Sequence, residues 1–90
     1  TFFSCNGRGH GYYADVETNC LVFHLCTPTL ASDGRFLFIS HHSFICPKDT
    51  LFSQDVLSCQ PWQYAYPCDQ AESIYQSSNV GVGVQEEKKP

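Results

Sequence analysis

The chain has 90 residues, six cysteines, no methionine and a formal charge of −4 with its four histidines neutral. Its five Lys and Arg residues form no basic patch, which excludes nucleic acid and anionic membranes as expected partners. An even cysteine count in so short a chain predicts a disulfide framework made in an oxidising, extracellular compartment, because a core of this size is marginal by itself.

The sequence shows no signal peptide and no apolar run of membrane-spanning length, so it reads as a mature secreted product or an excised fragment without membrane insertion. Cys5, Cys20, Cys26, Cys46, Cys59 and Cys68 place the expected domain at residues 1–70. Near its start, Gly7, Gly9 and Gly11 give a loop free to adopt positive φ, followed by Tyr12-Tyr13. "CLVFHLC" (20–26), "RFLFIS" (35–40) and "SFIC" (43–46) carry strand composition, with Asp33-Gly34 as a hairpin turn. The reading is an antiparallel hairpin of 20–26 with 35–40, extended by a third strand near 43–46. "PKDTLFSQDVLSC" (47–59) holds a second, smaller hairpin, with Lys48-Asp49 near a turn. Alternation places Phe23, with one or both of Phe36 and Phe38, in the core. Residues 71–90 have few large apolar groups and are expected to form a flexible tail. The fold class is therefore a small disulfide-rich all-β module.

Four histidines accompany the cysteines, yet no cysteine pair has the short chelating spacing of a zinc site. His41 and His42 are neighbours on a strand and point to opposite faces. No metal or other cofactor is expected. An even cysteine count leaves no thiol for nucleophilic catalysis. The carboxylate pairs Asp15/Glu17 and Asp49/Asp55 lie in turns, where Asp caps backbone groups. No enzyme activity is expected.

What stands out is the surplus of aromatic residues. In "PWQYAY" (61–66), Trp62, Tyr64 and Tyr66 recur at period two, so an extended chain would set three rings on one side. Such a ladder suits the apolar faces of pyranose sugars. Trp62 and Tyr64 are the candidates for display, while Tyr66, beside Pro67-Cys68, is better suited to packing.

The cysteine order, the five-residue gap between Cys20 and Cys26, "GYYAD" before the second cysteine, "FICP" at the fourth and Leu51-Phe52 after it resemble the type-2 chitin-binding domain, or peritrophin-A module. The wording is similar to single-domain arthropod cuticular proteins analogous to peritrophins, and to small arthropod venom proteins. The resemblance implies bridges Cys5–Cys26, Cys20–Cys68 and Cys46–Cys59, and a three-stranded antiparallel sheet plus a two-stranded hairpin. It implies non-catalytic binding of chitin or N-acetylglucosamine oligomers, with Trp62, Tyr64, Phe52, Tyr13 and Gln60 as site residues. Asp15 belongs to its turn, where it caps rather than touches sugar. One of Tyr12 and Tyr13 is expected on the Cys5–Cys26 bridge, the other in solvent. Gln60 and Ser53 depart from the Asp and Asn common in the family. The same scaffold also permits an alternative, a secreted venom or interaction protein that binds a protein target such as a receptor or channel.

Overall fold

The computed structural model describes residues 2–80. Two antiparallel sheets make up the body: a three-stranded sheet of β1 (Gly11–Ala14), β2 (Val22–Leu30) and β3 (Phe36–Ile45), and a hairpin of β4 (Thr50–Ser53) and β5 (Ser58–Pro61). The bridges join Cys5 to Cys26, Cys20 to Cys68 and Cys46 to Cys59. The expected architecture and pairing are both present.

The strand assignments differ from the expectation: residues 22–26 pair with 41–45 of β3 rather than with 35–40, because β2 and β3 run on unbroken and residues 36–40 lie opposite 27–30. The stretch near 43–46 is no separate strand, because no glycine or proline interrupts β3 between Ser40 and Ser43. The third strand is β1, drawn from the segment directly after the glycine loop, and it pairs with residues 23–26 of β2. Gly11 is needed there: a Cβ on it would lie 2.5 Å from the Asn79 side chain. Because β1 has only four residues, the outer half of the β2–β3 hairpin has no third strand beside it. That explains a further correction. Phe36 and Phe38 are exposed rather than buried, since the arm that carries them reaches beyond the layers that cover the core.

The core is built on both faces of β2. On one face Phe52 of β4 stacks on Phe23 at 4.4 Å, and Phe23 stacks in turn on Phe44 at 5.2 Å. Offset ring pairs of this kind add to the hydrophobic gain of burial. The other face holds His24, Cys26 and Tyr13, covered by Phe3, whose ring lies 4.1 Å from the His24 ring. Arg8 completes this side, its guanidinium 4.7 Å from the Phe3 ring centre and 5.1 Å from that of Tyr75.

Residues 71–80 are not a loose tail. A 3-10 helix (Cys68–Ile74) runs into a single turn, α1 (Tyr75–Ser78), and Ala71, Tyr75 and Asn79 are buried. The rest of the segment expected as a tail, 81–90, lies outside the described residues. The helical segment, with Gln54, seals the outer edge of β1. Asn79 Oδ1 accepts the Tyr12 N–H at 2.9 Å, and the amides of Gln54 and Asn79 both donate to the Tyr12 carbonyl. Gln54 Oε1 accepts the Ala14 N–H at 2.7 Å, while the Tyr75 hydroxyl donates to the Ala14 carbonyl at 2.6 Å. Four outward backbone groups are thereby satisfied by side chains.

Burial and the neighbouring Glu72 carboxylate push the Tyr75 hydroxyl up to about 12 from an ordinary 10.0. A phenol whose pKa is raised on folding contributes stability that is complete below pH 10 and lost as the pH rises towards 12. A shift of this size corresponds to something on the order of 2 kcal/mol. Alkaline titration followed by circular dichroism should therefore show stability falling between pH 10 and 12. In Tyr75→Phe that slope should flatten. An unchanged slope in the variant would assign the alkaline loss to another group.

Candidate functional site

The aromatic candidates separate into two groups. Phe52 is 1 % exposed and Tyr13 is buried. Neither presents a face to a ligand. Phe52 pairs across the hairpin with Cys59, which puts its ring on the Phe23 side. Tyr13 lies in the cluster that holds Cys5 and Cys26, and its hydroxyl donates to the Gly9 carbonyl at 2.8 Å. Neither tyrosine of the pair is in solvent, where one was expected: Tyr12 is half-buried, with its ring centre 6.3 Å from that of Phe23. Both assignments of buried aromatics to sugar contact fail for the same reason. So small a domain needs its large rings to fill the space between two sheets.

Trp62 and Tyr64 are displayed, at 60 % and 79 % exposure. Their backbone is not the extended ladder that period two suggested. β5 ends at Pro61, and the Tyr64 N–H bonds back to the Pro61 carbonyl at 2.8 Å, so residues 62–64 form a turn. A second tie, from the Trp62 N–H to the Asp49 carbonyl at 3.2 Å, anchors this turn to the start of the hairpin. Tyr66 is half-buried and its N–H bonds the Ser53 hydroxyl, so it belongs to the scaffold. Gln60 lies on β5 opposite Leu51, and its amide donates to the Ser58 hydroxyl at 2.8 Å. Ser53 is buried; its hydroxyl donates to the Asp55 carboxylate, so it is not available to a ligand.

Two open clefts, of about 310 and 350 Å³, lie among the described residues. They are lined by the N-terminal loop and the helical segment, with Arg8, Glu72 and Tyr75 in both. Neither includes Trp62 or Tyr64.

A polar cluster beneath Phe3 is the feature that sequence reading missed. The buried imidazole of His24 sets Nε2 2.8 Å from the Asp15 carboxylate, and Nδ1 2.8 Å from the Ser43 hydroxyl and 2.9 Å from His41 Nε2. Asp15 also accepts the Glu17 N–H at 3.0 Å, the capping role expected for it. With the His24 proton on Nε2, the carboxylate accepts it, and the single lone pair of Nδ1 is left to accept from the Ser43 hydroxyl or from His41 Nε2. Alternation along β2 puts His24 on the Cys26 face, and that was the one available signal. No group of three or more His, Cys, Asp or Glu side chains that could hold a metal ion occurs among the described residues.

Three bridges, a three-stranded sheet, a small hairpin and displayed rings after its second strand describe a stapled β-module for surface recognition. Residues 5–68 match the chitin-binding Peritrophin-A domain family, and the chain belongs to it. Two curated relatives carry toxin names. U-scoloptoxin(01)-Cw1a from Cormocephalus westwoodi is 41 % identical over 64 residues, covering 70 % of this chain and 46 % of its own length. U-scoloptoxin(01)-Er1a from Ethmostigmus rubripes is 30 % identical over 80 residues, covering 89 % of this chain and 59 % of its own. The chain thus spans about half the length of these relatives. No solved structure matches it significantly.

Proposed function

We propose that this chain is a secreted, non-catalytic module that holds chitin on an arthropod cuticle or a similar extracellular matrix. The exposure of Trp62 and Tyr64 on the turn after β5 carries the reading, together with membership of the chitin-binding family. The ring of Trp62 stacks on the CH face of one N-acetylglucosamine unit and Tyr64 on a neighbouring one, with the Gln60 amide nearby on β5 as a hydrogen-bonding group. All six cysteines are paired, which supports an extracellular location. No helix among the described residues is long and apolar enough to cross a membrane.

A ring stacked on an apolar face is worth about 0.5–1.5 kcal/mol beyond its area, by analogy with aromatic pairs. Beads that offer many sites amplify so weak a contact. The oxidised chain should be retained on chitin beads and pass through cellulose beads, and Trp62→Ala should lose most of that retention while keeping the circular dichroism of the parent. Retention unchanged in the variant would move the site elsewhere.

The toxin names of the relatives favour a second reading, in which the same scaffold recognises a protein target such as a receptor or channel. The family departure at Gln60, on the exposed side of the hairpin beside the displayed turn, agrees with it. A chain that passes through both resins supports this alternative.

A further inference from the structure

The two edges of the three-stranded sheet are treated differently. Side chains of Gln54, Tyr75 and Asn79 close the β1 edge. The β3 edge has no such cover: among the described residues, no strand and no side chain bonds its outward groups. Their identity follows from the ladder. The Cys46 N–H donates to the Leu21 carbonyl at 2.8 Å. By antiparallel alternation, Phe44, His42, Ser40 and Phe38 turn their amides towards β2, and Ile45, Ser43, His41 and Ile39 turn theirs outward.

Apart from a register irregularity at its outer end, between the Thr29–Phe38 and Leu30–Phe36 pairs, the strand lacks the devices that normally blunt an edge. Its ten residues, "FLFISHHSFI", contain no Lys, Arg, Asp, Glu, Pro or Gly. The chain charge of −4 therefore places no formal charge on this edge. We infer that β3 pairs antiparallel with β3 of a second copy of this chain, about a two-fold axis at His41, forming a continuous six-stranded sheet.

Symmetry selects the register. A two-fold axis normal to the sheet keeps facing residues on the same side, so it must pass through a residue rather than between two. With the axis at His41, each Phe38 faces the partner copy's Phe44, and each Ser40 faces its His42. Both phenylalanines are about half exposed in the single chain, and aromatic cross-strand pairs are among the stabilising kinds. An axis at His42 would instead set Phe44 against Ser40 and leave Phe38 against Cys46. The chain's own C-terminal segment is the poorer occupant, because Asn79 fixes the end of the described chain at the β1 edge, on the far side of the sheet.

Sedimentation equilibrium of the full chain should show a concentration-dependent monomer–dimer equilibrium. The register is tested by two double variants at surface positions. Ser40→Glu with His42→Glu sets two like-charged pairs across the interface and should weaken dimerisation at least about tenfold. Ser40→Glu with His42→Lys sets two opposite-charged pairs there and should restore it. Thermal melts of both variants at a dilution where the parent is monomeric confirm that each still folds. A parent that stays monomeric at its highest soluble concentration overturns the inference, as does a dimer indifferent to both variants. Amide protons of Ile39 and His41 protected in a monomer, and only while residues 81–90 are present, would assign the edge to the chain's own C-terminus instead.

Discussion

Replacing Cys20 and Cys68 together by serine should lower the unfolding free energy by about 4 kcal/mol, more than the loss of either other bridge. The separations decide the order: Cys20–Cys68 spans 48 residues, against 21 for Cys5–Cys26 and 13 for Cys46–Cys59. Restricting the unfolded chain by loops of 48 and 13 residues is worth about 4 and about 3 kcal/mol respectively in the chain-entropy account. The folded state makes the gap wider. Cys68 opens the helical segment that delivers Tyr75 and Asn79 to the β1 edge. Once the bridge is cut, that segment is held by its own packing alone, and the Tyr12 and Ala14 amides should exchange early. For a domain this small the loss is a large part of the total stability. Chemical denaturation of Cys20→Ser/Cys68→Ser beside Cys46→Ser/Cys59→Ser measures it. A greater loss in the second variant would show that strand packing, rather than chain restriction, dominates.

Strand composition made the β character legible because it is a local feature, whereas the bridges, which span 13 to 48 residues, and the division into two sheets were legible only through the family resemblance carried by the cysteine order and the motifs around it. The misreadings have a common cause: burial in this domain is set by which short strand lies beside which. "FLF" at 36–38 has the composition of a core strand, but β1 is too short to reach its neighbour in the sheet, so Phe36 and Phe38 stay exposed. Conversely, Phe52 lies in the hairpin expected to bind ligand, yet its alternation turns it onto Phe23. Trp62, Tyr64 and Tyr66 share a period of two only if the chain is extended, and the Pro61–Tyr64 turn breaks that premise. The C-terminal helical segment carried a usable signal that composition concealed: Ala71, Tyr75 and Asn79 recur every four residues and all are buried on one side. Its purpose could not be read from spacing, since it serves backbone groups 67 residues away in sequence.

Asp15→Ala should cost about 3–5 kcal/mol. The Asp15 carboxylate is buried against His24 Nε2, and the imidazole is held from the other side by Ser43 and His41 beneath the ring of Phe3. Deleting the carboxylate leaves a buried ring nitrogen without its partner, and losses of this size are typical of breaking a buried pair. The same substitution removes the cap on the Glu17 amide, worth about 1 kcal/mol within that total. Asp15→Asn keeps an oxygen for the cap, but its amide N–H₂ then faces the Nε2 proton of His24, so it should recover the cap, about 1 kcal/mol, and little more. Urea denaturation of the two variants separates shape from charge: equal losses would mean that the negative charge itself holds His24 in place, whereas a loss below about 1 kcal/mol in the alanine variant would show that the ring has found another partner. Folded Asp15→Asn should still be retained on chitin beads, because Trp62 and Tyr64 are held by the Asp49 and Pro61 carbonyls and not by this cluster. Stability and recognition then respond to different residues, as expected of a scaffold whose interior is committed to holding two sheets together and whose proposed ligand contacts lie on and beside one exposed turn.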